Sequence, residues 1–181
     1  MENKPHFLLF NMYNLLDKLN GSRLASSLDI GHDDNLNSCG KCVTCKDHLN
    51  TSTTFKSSVT DKQFSFDDSS SIEMACTTSN VVYLITCNLC KIQYVGQTQQ
   101  QFRARFSGHR SACKTGKDHL LLYEHFQSHL HSLSDYKVQI IYHYTGDKSD
   151  AKETLLAMEE FYMRMLGTLY PFGLNDRIEL L

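Results

Sequence analysis

A few residues of this chain have the types and the order that phosphodiester hydrolysis needs. Tyr83 and Tyr94 lie on neighbouring apolar segments, Arg105 and His109 follow, and Glu159 stands far downstream. Breaking a phosphodiester takes a base for the attacking water, a cation over the phosphoryl oxygens and a carboxylate to hold a divalent metal. A tyrosine with a pKa near 10 is a poor base unless nearby cations stabilise its phenolate or it relays a proton. Arg105 precedes His109 by four residues, which puts both on one face of a helix, where both could point at a phosphate beside the tyrosines.

The elements that must position these side chains can be read from their flanks. Residues 81–86 and 92–95 are β-branched and apolar, with Cys87-Asn88-Leu89-Cys90 between them, and predict a hairpin whose turn is a cysteine knuckle. Gly96 is expected to give a close backbone turn after the second strand. Residues 99–114 and 119–128 suit helices, residues 137–144 a third strand and residues 150–166 the clearest helix. Asp150 is its expected cap, with Glu153 three residues on, and Pro171 and Gly173 end it. The fold class is therefore α/β (α+β): a small, mainly antiparallel, three-stranded sheet flanked by helices, with a zinc knuckle in the first hairpin. Residues 1–75 form an N-terminal Cys-rich arm, polar from 50 to 71 and expected to be loosely held, in which Leu15, Leu16, Leu19, Leu24 and Leu28 could line a short helix pair. Residues 76–181 form the denser domain.

The last helix carries a buried-acid argument. At about 100° per residue, Leu155, Leu156, Met158, Tyr162, Met163, Met165 and Leu166 share one arc, and Glu159 falls in its middle. Glu160 and Arg164 fall on the other side as an i,i+4 pair. A carboxylate on a core-facing stripe costs several kcal/mol unless a cation or donor meets it. Either a salt bridge to Arg103 or Arg105 or a metal at the rim of a cleft would satisfy it.

Seven cysteines, an odd number, sit mostly at metal-ligand spacings. That pattern fits a reducing compartment, nuclear or cytoplasmic. Cys87 and Cys90, with His125 and His131 downstream, make a tetrahedral zinc set in which His129 competes for a place. Cys39, Cys42 and Cys45 supply three thiolates; the fourth ligand is Cys76 or His48, with Cys76 preferred. Buried thiols with surface histidines are the plain alternative for the first group, chance or redox-active thiols for the second, and Cys113 reads as a core residue.

The net charge is −2 and the pI near 6.5. Yet no acidic residue occurs between Met74 and Lys117, where Lys91, Arg103, Arg105, Arg110, Lys114 and Lys117 lie. A local field of this kind can hold a polyanion, although a solvated helix face gives the same pattern. No apolar run approaches the roughly 20 residues of a membrane span, and 7–10 is too short for a signal-peptide core.

The order Val81-Val82-Tyr83, Tyr94-Val95-Gly96, Arg105, His109 and Glu159 resembles the GIY-YIG endonuclease family, with Val-Val-Tyr standing where the family has Gly-Ile-Tyr. The resemblance implies that Tyr83 is the general base, Tyr94 orients the water or phosphate, and Arg105 stabilises the transition state. It makes His109 a hydrogen-bonding partner in the site and Glu159 the ligand of a single Mg²⁺ or Mn²⁺. Asn175, in Gly173-Leu174-Asn175, would brace the far edge. A cysteine pair between the tyrosine motifs and a histidine pair downstream is similar to the endonuclease domain of Penelope-like retroelements, as are Gln93-Tyr94-Val95-Gly96-Gln97-Thr98 and residues 169–177. That implies a DNA-nicking enzyme with structural Zn²⁺ and, as partner, a reverse transcriptase domain of the parent element. The rival functions are an inactive zinc-dependent nucleic-acid-binding module and a protein-interaction adaptor using the Cys-rich arm.

Overall fold

The computed structural model describes residue 39 and residues 41–65, 75–115, 120–128 and 130–176. Contacts divide the chain into Met1–Asp34, outside that set, and Asn35–Leu181. The leucine-lined helix pair, Lys117 and His129 therefore lie outside the described residues.

The central sheet is built from β3 (Val81–Cys87), β4 (Gln93–Thr98) and β5 (Tyr136–His143), in the order β4-β3-β5 and antiparallel throughout. The three expected strands and their short apolar runs coincide closely. β3 is buried along nearly its whole length because it is central and covered on both faces. The β3–β4 turn closes with Lys91 N–H bonded to the Cys87 carbonyl at 3.0 Å and Lys91 itself at φ 65°, a backbone position a non-glycine residue rarely takes. Between Val82 and Tyr83 the register with β5 slips by one residue, a bulge in which Ile141 of β5 is the extra residue.

Two helices cover one face. α1 (Phe102–Thr115) and α2 (Leu121–Gln127) bring Phe102, Phe106, Leu122, Tyr123 and Phe126 onto Tyr83, Ile85, Cys87 and Tyr94. Each such apolar side chain, fully buried, contributes about 1.5–3 kcal/mol. The longest helix among the described residues, α3 (Ala151–Leu166), packs on β3 and β4. Its start has Asp150 at the cap position, but no side-chain cap bond forms there, so the expected capping box is not made. Its end is set by Gly167 at φ 69°, whose N–H meets the Arg164 and Met163 carbonyls.

The polar segment before the sheet is held more firmly than its composition suggests. A single π-type turn, Thr44–His48, leads to β1 (Thr54–Lys56) and β2 (Gln63–Ser65), which form a two-stranded antiparallel ribbon. Phe55 is buried against Phe64 and Tyr162. Two buried glutamines do the rest. Gln139 donates to the Thr54 carbonyl at 3.0 Å, and Gln93 donates to the Lys56 carbonyl at 2.8 Å. Hydropathy registers neither bond. Among the described residues no helix is long and apolar enough to cross a membrane.

Candidate active site

Tyr83 is the hub. Its ring is fully buried in the face covered by α1, and its hydroxyl meets His109 Nε2 at 2.6 Å and the Nε–H of Arg105 at 3.2 Å. The four-residue spacing of Arg105 and His109 thus brings both to a single oxygen. Burial pushes the Tyr83 phenol up to about 12, with the Arg105 charge working against that rise. His109 is lowered to about 3, first by burial and then by Arg105, so its imidazole is neutral at physiological pH. Its ring also stands edge-on to Tyr94, with centroids 6.0 Å apart, and burial raises the Tyr94 phenol well above its ordinary value.

Gly96 is the register partner of Tyr83 and lies inside β4, not in a turn after it. The reason for glycine is space: a Cβ there would come within 2.6 Å of Tyr83 Oη and 2.8 Å of Tyr94 Cε1. Glu159, half-buried on α3, is near enough for its charge to raise both phenols. Its neighbour Glu160 is instead paired with Arg164 at 2.8 Å, as the helical arc predicts.

Asn175 acts on the backbone. Its amide accepts from Val95 N–H at 2.9 Å and donates to the Val95 carbonyl at 2.8 Å, imitating a strand partner along the outer edge of β4. The Leu174 N–H adds a bond to the Gln93 carbonyl at 2.9 Å. The strand that carries Tyr94 and Gly96 is fixed from that side.

Both cysteine groups gather. The ligand atoms of Cys87, Cys90, His125 and His131 lie within 4.8 Å of one another, as do those of Cys39, Cys42, Cys45 and Cys76. Tetrahedral zinc with ordinary Zn–S and Zn–N lengths requires ligand separations of roughly 3.3–3.8 Å. Cys87 Sγ to His131 Nδ1 is 3.4 Å, Cys90 Sγ to His125 Nε2 is 3.6 Å, and Cys39 Sγ to Cys45 Sγ is 3.7 Å. The last is far longer than a disulfide, and all seven cysteines are free. Backbone N–H groups of Lys41 and Cys42 lower Cys39 to about 6, while burial pushes Cys76 up. Burial and the nearby His131 lower His125, leaving it in the neutral form a metal ligand needs. His48, the other candidate for the four-cysteine group, is buried elsewhere, stacked on Tyr136 at 4.4 Å.

The basic residues divide. Arg105 faces the site, whereas Arg103, Arg110 and Lys114 recur at i, i+7 and i+11 and line the opposite side of α1, roughly 160° away. Arg103 and Lys114 are exposed, as is Lys91, whose Nζ bonds the Asn88 carbonyl at 2.6 Å. One residue of the site has no signal in the motif order: Tyr123, whose hydroxyl lies 3.0 Å from His109 Nδ1. Its place in a buried stripe of α2 with Leu122 and Phe126 could have suggested core packing, but not the imidazole it meets.

The family profile described as the GIY-YIG catalytic domain matches residues 79–170. No curated protein matches. Among solved structures the chain is similar to the catalytic domain of the homing endonuclease I-TevI, with 19% identity over 54% of this chain and 97% of that one and a TM-score of 0.44. With the family profile spanning β3 through α3, over half of its length, the chain belongs to the GIY-YIG nuclease family.

Proposed function

We propose that this chain is a metal-dependent endonuclease that nicks DNA, the nuclease portion of a Penelope-like retroelement or a remnant of one. The observation that carries the reading is the hydrogen-bonded chain Arg105–Tyr83–His109. A neutral phenol is a weak base by itself, but the His109 imidazole at 2.6 Å is placed to take its proton once the phosphate's negative charge offsets the burial and the Arg105 charge that hold it down to about 3. As the attacking water gives a proton to Tyr83 Oη, the phenolic proton passes to His109 Nε2, and the phenol stays neutral throughout. Arg105 holds the phenol in place and sets a positive charge where the phosphoryl oxygens become more negative. Tyr94, beside His109, orients the water or the phosphate. The P–O bond to the leaving strand breaks with its electron pair on the leaving oxygen, which takes a proton from solvent and becomes a hydroxyl end that a reverse transcriptase domain of the parent element could extend.

Glu159 would hold the divalent metal. A carboxylate completed by water is a hard oxygen set, suited to Mg²⁺ or Mn²⁺, in contrast to the sulfur and nitrogen sets of the two cysteine groups, which suit Zn²⁺. When bound, such a cation supplies Lewis acidity to the phosphoryl group. The Penelope-like assignment rests on the Cys87–Cys90 pair between the two tyrosine motifs and its gathering with His125 and His131. Lys91, in the β3–β4 turn, and Arg103, Arg110 and Lys114, on the side of α1 away from Arg105, would contact the DNA backbone.

The test is plasmid nicking in Mg²⁺ and in Mn²⁺, beside Glu159→Ala. Relaxed circles that vanish in the variant, while the variant still shifts DNA on a gel, support the reading. Absence of nicking by the wild-type protein with DNA binding retained would make the chain a zinc-dependent binding module instead.

A further inference from the structure

His109 sits between two phenols. Nε2 lies 2.6 Å from Tyr83 Oη and Nδ1 lies 3.0 Å from Tyr123 Oη, and all three side chains are buried. A neutral imidazole carries one proton, so one ring nitrogen donates and the other accepts. Two arrangements fit the distances. In the first, Nδ1–H donates to Tyr123 and Nε2 accepts from Tyr83. In the second, Tyr123 donates into Nδ1, and Nε2–H points at Tyr83, which then has no acceptor on His109 for its own proton. Tyr83 Oη already accepts from Arg105 Nε–H, and its own proton needs a partner in a fully buried place. The short contact to Nε2 offers one only in the first arrangement.

We propose that Tyr123 is a positioning residue for the nuclease reaction: its hydroxyl accepts from His109 Nδ1–H and so holds the imidazole in the tautomer whose Nε2 can take the Tyr83 proton. The inference rests on the reading of Tyr83 and His109 as the proton path. Where a base is itself oriented by a third group, that group selects the tautomer and the ring orientation. The helix beneath Tyr123 is fixed for the task. Gln127 Nε2, one turn on, donates to the Cys113 carbonyl at 2.7 Å, tying α2 to the helix that carries His109. The hydroxyl therefore keeps its place relative to the imidazole.

The experiment compares the full chain with Tyr123→Phe, which retains the ring and removes the hydroxyl. ¹⁵N shifts of the His109 imidazole in the wild-type protein should show Nδ1 protonated and Nε2 bare, and Tyr123→Phe should convert this to a mixture. In plasmid nicking, kcat should fall roughly 10- to 100-fold, the size seen when an orienting partner of a ligand or base is lost, with KM unchanged. In a His109→Gln background the same change should bring no further loss. A wild-type imidazole protonated at Nε2 would overturn the proposal, as would a Tyr123→Phe protein with the wild-type tautomer, or one that loses only KM. The tautomer is read without substrate. A protein that does not nick but shows the expected shifts would overturn the proton path and leave the Tyr123 bond standing.

Discussion

Tyr83 and Gly96 face each other across β3 and β4, and the phenol lies over the glycine so closely that a Cβ would sit 2.6 Å from its oxygen. The tyrosine cannot yield cheaply, because that oxygen is held from two sides, by His109 and by Arg105. Gly96→Ala should therefore shift the phenol off its partners, lowering nicking at least tenfold and costing about 1–3 kcal/mol of overpacking. Urea denaturation and a nicking assay on the same preparation read both quantities. Wild-type values in each would mean the slot does not position Tyr83.

Asn175→Ala removes both bonds to Val95 and leaves a buried N–H and carbonyl without their partner. At about 1–3 kcal/mol for each orphaned group, the loss should be roughly 2–6 kcal/mol. Asn175→Asp keeps an acceptor but turns a buried carboxylate toward the Val95 carbonyl, and should cost at least as much as Asn175→Ala. Equal stability of the three proteins would show that the amide is not bracing β4.

Acid should expose His109. Its folded-state pKa is lowered to about 3 from the ordinary 6.5. Between those values the unfolded chain binds a proton that the native one refuses, so stability is fully present above about pH 6.5 and drains as pH falls toward 3. The slope is about 1.4 kcal/mol per pH unit. Denaturation from pH 6 to pH 4 should thus be steeper for the wild-type protein than for His109→Gln by about that amount. Parallel lines would place the imidazole in contact with water.

The two cysteine groups should hold two zinc ions per chain, counted by elemental analysis. Cys87→Ser should remove one and Cys76→Ser the other. Structural zinc contributes about 10–16 kcal/mol of apparent binding energy, more than the roughly 5–15 kcal/mol net stability of most domains. Loss of zinc at Cys87 should therefore abolish cooperative unfolding. Unchanged metal content and melting in Cys87→Ser would leave the group as plain thiols.

What the sequence reveals of this site follows from how local each signal is. The β3–β4 hairpin, the helix bearing Arg105 and His109, and the arc that sets Glu159 apart from Glu160 are periodic patterns within one element, and the structure has them at nearly the same bounds. Tyr123 and Gly96 are different. Each matters through a contact with a residue on another element, 14 residues away for Tyr123 and His109; the Tyr-Val-Gly motif marks Gly96 but not the close approach it permits. Gly96 was expected to turn the chain and instead makes room within a strand. The ribbon of β1 and β2 escapes composition for a related reason: amide-to-backbone bonds from Gln93 and Gln139 hold it, and both residues count as polar.

A three-strand sheet has two open edges, and each here is occupied. Leu174 and Asn175 lie along β4, while Leu49 and Asn50 lie along β5, with the Asn50 N–H bonded to the Val138 carbonyl at 2.8 Å. Unpaired strand edges template the pairing of one chain with another. These two short segments therefore cover strand positions that another chain could otherwise pair with. Cutting residues 39–65 away, or unhooking the loop at Asn175, would release a strand edge to its neighbours, and the first sign of damage would be loss of solubility.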